Sequence, residues 1–228
     1  MNNLISIKKV SRSYSNNKKV TVLKKINYSF ARGKIYSIMG PSGSGKSTLL
    51  NILSMIDKPT TGSMLIGNDT IDFNNNTDND KIRAKKIGII YQQNNLLPDF
   101  TALENVYLAG LALTDDKKNS IQKAKKIIKK MGLSTREQHY PSELSGGEMQ
   151  RIAMARALIN EPEIILADEP TGSLDQKTAK EVFKILYNLK NKNRLIIYAT
   201  HNRFFANMAD CKLEMINGSI KTINARIK

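Results

Sequence analysis

The amino-acid sequence predicts an α/β protein, with a parallel-sheet core, a β-rich edge and a mostly helical insertion near residues 93–160. Three observations carry that expectation. A short apolar strand, "KIYSIMG" (34–40), runs into a glycine-rich loop and then an apolar helix, "TLLNILSMI". Two further buried-type strands, "EIILADE" and "RLIIYATH", are separated by a helix of about fifteen residues, the alternation typical of parallel sheets. The stretch 93–160 changes to helical patterning with cap signals.

Taken in order, "LISIKKV" and "VTVLKKINYSF" alternate as strands, the second placing Val20, Val22, Ile26, Tyr28 and Phe30 on one face. The helix "TLLNILSMI" is expected to stop at Pro59. "GSMLIG" and "KKIGIIYQ" read as strands around a polar tip, "DFNNNTDND" (72–80). Thr101 and Glu104 have capping-box spacing and open a helix. In "SIQKAKKIIKKMG" (120–132), Ile121, Ala124, Ile128 and Met131 share one helical face, lysines cover the rest, and Gly132 stops the helix. Asn217-Gly218, between apolar runs, signals a closing hairpin.

The bulk numbers narrow the class. The 228 residues suffice for one large domain, and 40% hydrophobic with 25% charged residues is an ordinary globular balance. No apolar run approaches the roughly 18 residues of a membrane span. "MNNLISIKKV" reads as a strand and not a signal peptide, and the single Cys211 fits a reducing cytosol. A soluble, cytoplasmic chain is expected. Lys+Arg 36 against Asp+Glu 20 gives +16, which invites an anionic partner or reflects solvated faces. No aromatic residues interleave the lysines as a nucleic-acid stacking surface requires, so no nucleic-acid partner is expected.

The chemistry starts at "GPSGSGKST": Gly40, Pro41, Ser42, Gly43, Ser44, Gly45, Lys46, Ser47 and Thr48. This fits G-x-x-x-x-G-K-[ST] between a strand and a helix, where curled backbone N–H groups and the helix N-terminus cradle phosphates. Lys46 would reach the β- and γ-phosphates, and Ser47 would hold Mg²⁺. "IILADEP" supplies the acidic partner, with Asp168 for the metal shell and Glu169 to polarise an attacking water. Adjacent ionised carboxylates at a buried strand end repel unless a cation sits between them.

"SELSGGEMQR" (142–151) poses a separate question. Ser145 and Glu148 have capping-box spacing, which accounts for those two residues but not for Gly146 and Gly147 between them. Each glycine costs a helix roughly 0.5–1 kcal/mol against alanine, and bare glycines suit close approach of a ligand. Since the first loop already satisfies one nucleotide's phosphates, two chains facing head to tail are expected, each serine helix closing over the other's nucleotide.

"GPSGSGKST", "LSGGEMQR", "ILADEPTGSLD" and "ATH", in this order and spacing, resemble the nucleotide-binding subunits of ABC transporters over essentially the whole chain. The resemblance implies one ABC nucleotide-binding domain over 1–228: a P-loop NTPase core, an antiparallel β subdomain and an α-helical subdomain at about 93–160. It implies an ATP hydrolase using ATP and Mg²⁺, a homodimeric ATP sandwich, and two integral membrane permease subunits. The chain would lie peripherally on the cytoplasmic side of the inner membrane.

Residue by residue, it implies that Gln92 senses Mg²⁺ and the membrane partner, that Ser173 and Asp175 form a dimer-contact loop, that His201 touches the γ-phosphate, and that Tyr14 stacks on adenine. Leu96, Leu97 and Phe100 are either docking points for the membrane subunit or the core of the helical lobe. "QQNNLLPDFTALENV" (92–106) and "LEMINGS" (213–219) look like the ATPase of the lipoprotein-releasing (Lol) system; macrolide-type efflux and cell-division ATPases are the near alternatives. Met149, Ser173 and Asn202 depart from the usual residues at their positions.

Overall fold

A computed structural model describes residues 3–16 and 18–225, so Met1 and Asn2 of the first expected strand lie outside the described residues. In chain order the elements are β1 (Asn3–Asn16), β2 (Lys18–Ala31), β3 (Ile35–Met39), α1 (Lys46–Leu53), β4 (Thr61–Ile66), β5 (Asp69–Thr70) and α2 (Asn76–Lys86). There follow β6 (Ile87–Ile90), α3 (Ala102–Leu111), α4 (Lys117–Lys130), α5 (Gly146–Leu158) and β7 (Ile164–Asp168). The chain closes with α6 (Gln176–Asn188), β8 (Leu195–Ala199), α7 (Arg203–Ala206), β9 (Cys211–Ile216) and β10 (Ser219–Ala225). The α/β class follows from these elements, with an antiparallel sheet as the β-rich edge.

The chain divides into two units. The first comprises Met1–Asp80, Leu166–Asp168 and Lys190–Lys228. Its antiparallel sheet has the order β2-β1-β4-β5. Its second sheet runs β10-β9-β3-β8-β7, with β3 parallel to both β8 and β9. β8 is buried along its entire length, which is why it reads as a continuous apolar run. Tyr28, Phe30 and Tyr36 cluster with ring centroids 4.8, 5.1 and 6.2 Å apart.

Strand parity in β2 differs from the expected pattern. Leu23, Ile26 and Phe30 are buried, whereas Val20 is 58% exposed. The pairing with β1 slips between Val10↔Ile26 and Arg12↔Leu23, and Lys25 takes φ 47°. One extra residue at that bulge reverses the alternation N-terminal to it. Helix α1 likewise ends at Leu53 with Ser54 as its C-cap, followed by Met55 at φ 59°, several residues before Pro59. Proline is not what stops it.

The second unit comprises Lys81–Ile165 and Glu169–Leu189 and holds β6, α3, α4, α5 and α6. Thr101 and Glu104 form the expected capping box on α3. Helix α4 buries Ala124 and Ile128, Met131 is its C-cap, and Gly132 follows at φ 74°. α2 stands where the sequence reads as a polar tip and the start of a strand. Asn79 is its one buried residue, so it carries no apolar stripe to announce it, while the Asn75 side chain accepts from the Asp78 N–H at 3.2 Å and basic residues fill its last turn.

The Asn217-Gly218 hairpin forms between β9 and β10, with φ 48° and 77°, the left-handed pair of a type I′ turn. The Gly218 carbonyl accepts from Lys24 N–H at 2.8 Å, and a Cβ on Gly218 would run into the Val22 carbonyl. Gly218→Ala should therefore cost about 1–3 kcal/mol, from positive-φ strain plus the backbone collision. An unchanged urea midpoint for that variant would refute this account of the hairpin.

Candidate functional site

In the first unit, β3 delivers the chain into the loop 40–45, and α1 begins immediately after it. Gly45, the N-cap, sits at φ 105°, where a Cβ would lie 2.8 Å from Leu23 Cδ2. Only glycine allows this entry. Among the described residues no side chain caps α1, and its first turn holds no acidic residue. The first-turn amides and the positive end of the helix dipole are thus left for an external anion.

Lys46 Nζ folds back onto the carbonyls of Gly40 (2.8 Å) and Pro41 (3.0 Å), bonds that an incoming phosphate could replace. Ser44 Oγ is buried without a hydrogen-bond partner among the described residues. Pro41, Ser42, Gly43 and Ser47 are exposed and Thr48 is half-buried. A buried orphan hydroxyl, an uncapped helix start and a flexible ammonium together fit the phosphates of a nucleotide.

The same sheet brings other candidates to its strand ends. Ile38 pairs with Ala199, and Thr200 N–H donates to the Ile38 carbonyl at 3.1 Å, so exposed His201 emerges beside the strand that feeds the loop. Asp168 closes β7, the neighbour of β8 in sheet order. Strand C-termini are where α/β sheets bind ligands. Asn202 caps α7, accepting from Phe204 N–H at 2.9 Å and Phe205 N–H at 3.4 Å. Asparagine and aspartate cap equally well, so this departure preserves the local structure.

Tyr14 has its hydroxyl on Asp57 Oδ2 at 2.8 Å, while the Arg12 guanidinium lies 4.4 Å from its ring centroid. Arg12 also pairs with Asp57 at 2.7 Å. The ring is held in one orientation by two residues that sequence reading missed; nothing local announces a partner 43 positions away.

The second unit gathers its own set. Glu169 follows β7 with φ 44°, a strained value for a non-glycine residue, and its carbonyl accepts from Gly172 N–H at 3.0 Å. This tight turn redirects the chain, so Glu169 departs from strand alternation. Gln92 lies against it: a Cβ on Gly172 would sit 3.1 Å from Gln92 Nε2, and Ser173 Oγ is 3.5 Å from the Gln92 carbonyl. Asp175 caps α6, accepting from Lys177 and Thr178 N–H at 3.0 and 3.1 Å. Its hydrogen bonds with Thr178 lead the causes that hold its carboxyl below the ordinary value.

The segment after Gln92 is fixed by buried Asn105 and Gln150 and half-buried Arg156, which the sequence did not reveal. Arg156 donates to the carbonyls of Asn94 (2.8 Å) and Asn95 (2.6 Å), and Gln150 Nε2 donates to the Tyr91 carbonyl at 3.2 Å. Asn105 bonds Leu97 in both directions and the Phe100 carbonyl at 2.9 Å. Leu97 and Phe100 remain 45% and 38% exposed and Leu96 is half-buried, so Leu97 and Phe100 are not core residues.

Ser145 and Gly146 are exposed at the start of α5. Gly147, by contrast, is buried, and a Cβ there would collide with Thr178 Cγ2, whereas Gly146 would meet only Leu174 Cδ2 at an ordinary 3.4 Å. Close helix packing thus requires Gly147, and ligand approach need explain Gly146 alone. Glu148 Oε2 accepts from Ser145 N–H (2.9 Å) and from its hydroxyl (2.8 Å), while Arg136 Nε donates to Oε1 at 2.9 Å. Foremost the Arg136 bond, then those from Ser145, depress the Glu148 carboxyl from the ordinary 4.5 to about 2.

Comparison with known proteins yields consistent relatives. The ABC transporter family matches residues 23–172. The lipoprotein-releasing system ATP-binding protein LolD of Rickettsia bellii is 43% identical over 221 residues, spanning 96% of this chain and 98% of that protein. The macrolide export ATP-binding/permease protein MacB of Aggregatibacter actinomycetemcomitans is 42% identical over 96% of this chain, which spans only 34% of MacB. Among solved structures, a dimeric ATP-binding cassette in a post-hydrolysis state, bound to ADP and Pi, superposes with a TM-score of 0.87 at 36% identity, covering 97% of this chain and 99% of the other.

Because the folded carboxyl of Glu148 titrates lower than an unfolded one, its contribution is complete above about pH 4.5 and fades as pH falls toward about 2. Glu148→Gln should therefore show a smaller loss of urea midpoint between pH 7 and pH 3 than the unsubstituted protein. Equal losses would show that this ion pair carries no stability.

Proposed function

The chain belongs to the ABC transporter family, and from that premise we propose that it powers the release of lipoproteins from the bacterial inner membrane. It is an ATP-binding subunit and an ATP hydrolase of that family. The observation that carries the chemistry is the cradle at 40–48, with its uncapped helix start and the orphan Ser44 hydroxyl. The LolD relative, similar over nearly its whole length, supports lipoprotein release as the transported class.

In this reading the N-terminus of α1 and Lys46 hold the β- and γ-phosphates, and Tyr14 offers its ring to adenine. Ser47 and Asp168, with Gln92, would hold Mg²⁺, a hard cation satisfied by oxygen donors, which would neutralise phosphate charge. Glu169 orients the attacking water, and His201 steadies the γ-phosphate. Ser145 and Gly146 close over the nucleotide held by a second copy, head to tail, while Ser173 and Asp175 lie at that interface. Dimeric structures of a relative of the same fold support the pairing. ATP closes the dimer, in-line attack of water cleaves the γ-phosphate, and phosphate release opens it.

No helix of the described residues is long and apolar enough to cross a membrane. Two membrane permeases are proposed as partners, docked on exposed Leu97 and Phe100 at the cytoplasmic face. The MacB relative favours a second reading, the ATPase of a macrolide-type efflux pump.

Glu169→Gln should retain ATP binding, lower turnover by about 100-fold or more, and accumulate an ATP-dependent dimer on size exclusion. Normal turnover would remove Glu169 from its role. Tagged Glu169→Gln protein, captured with ATP from detergent-solubilised host membranes, should bring down two membrane subunits with lipoproteins. The further change Leu97→Ser/Phe100→Ser should abolish that capture while ATP binding persists. Capture of an efflux permease without lipoproteins would overturn the transport assignment and keep the motor.

A further inference from the structure

We propose that Arg136 is the positioning residue that makes the start of α5 fit to receive a phosphate, by neutralising Glu148 while Glu148 holds Ser145. The inference rests on the head-to-tail reading above and goes beyond it, because Arg136 lies outside every motif that carries that reading.

The N-terminus of α5 presents a conflict. An anion from a second copy must approach Ser145 and Gly146, yet Glu148 at the third helical position already places a carboxylate there. That carboxylate is welcome to the helix alone, because it completes the capping box and complements the dipole. To an incoming phosphate it is a like charge at close range. Arg136 resolves the conflict, its Nε donating to Glu148 Oε1 at 2.9 Å. The two carboxylate oxygens are thereby divided, Oε1 to Arg136 and Oε2 to the N–H and hydroxyl of Ser145.

The division also bears on the hydroxyl proton. Ser145 Oγ donates to Glu148 Oε2 at 2.8 Å and accepts from Glu148 N–H at 3.3 Å. To bond a phosphate oxygen, Ser145 must turn that proton away from Glu148. A guanidinium on Oε1 draws charge from the carboxylate and makes Oε2 the weaker acceptor, so the proton is more easily handed over.

Arg136 is placed for this from outside α5. It ends a short 3₁₀ turn, Ser134–Arg136. That segment is tied to the first turn of α3, where Ala102 and Leu103 N–H donate to the carbonyls of His139 and Glu137, both at 2.8 Å. Arg136 Nη1 lies 3.4 Å from His139 Nε2, and Lys125 approaches Glu137 at 3.9 Å. The guanidinium therefore arrives on a braced stretch of chain.

The test uses the Glu169→Gln protein as parent and reads the ATP concentration giving half-maximal dimer by light scattering. Adding Arg136→Met should raise that concentration about tenfold or more, the scale of one charge-assisted contact. Arg136→Lys, which keeps the charge, should stay within about threefold of the parent. Adding Glu148→Gln to Arg136→Met should restore dimerisation to within about threefold of the parent, because glutamine keeps the capping box and removes the charge. A merely structural staple predicts no such rescue.

The proposal is overturned if Arg136→Met dimerises at the parent's ATP concentration, or if the double variant is as weak as Arg136→Met alone. Should Arg136→Met fail to fold, Arg136→Gln with and without Glu148→Gln makes the same comparison. A parent that forms no ATP-dependent dimer sinks the head-to-tail reading itself, and the role of Arg136 with it.

Discussion

Every α-helix begins with N–H groups that have no partner inside the helix, and how this chain treats them at two helices governs the rest of its design. At α1 the groups are left without a side-chain cap and the entering loop is built from glycines, so an external anion must complete them. At α5 the chain supplies a side-chain cap of its own, the Glu148 N–H donating to Ser145 Oγ and the Ser145 N–H to the Glu148 carboxylate. The first helix is an open socket. The second is capped by its own side chains, with a guanidinium held against its glutamate.

The surroundings of the second unit are organised by buried polar groups more than by apolar periodicity. Asn105, Gln150 and Arg156 each bond main-chain groups of the segment 91–100. Burial opposes the charge of Arg156 and holds its pKa below the ordinary value. Its Nη1 and Nη2 each find a carbonyl, of Asn95 and Asn94; unmatched, the same burial would be strongly unfavourable. The result is a segment without regular secondary structure, held in one conformation, with Leu97 and Phe100 facing out.

Local strain also marks the end of β7. Glu169 keeps a left-handed backbone at a strand end, a conformation that costs a non-glycine residue on the order of 1 kcal/mol and needs a surrounding structure to hold it. Here the Gly172 N–H to Glu169 carbonyl bond closes the turn, and the bare Gly172 leaves room for Gln92. Asn202, a departure from the family's usual aspartate, retains the capping bonds of α7.

What the sequence by itself determined was whatever depends on short spacing. The phosphate loop between strand and helix, both serine and threonine capping boxes, the lysine-coated face of α4 and the Asn217-Gly218 turn are each set within a few residues by backbone geometry. Tertiary structure decided the rest. Helix α2 lacks an apolar stripe, so only its Asn75 cap and basic last turn explain it, and a bulge at Lys25 reversed the parity of β2. The bareness of Gly147 answers to Thr178, and the orientation of Tyr14 to Asp57. These depend on where distant segments pass in space, and no local pattern of residues encodes the path of the chain between them.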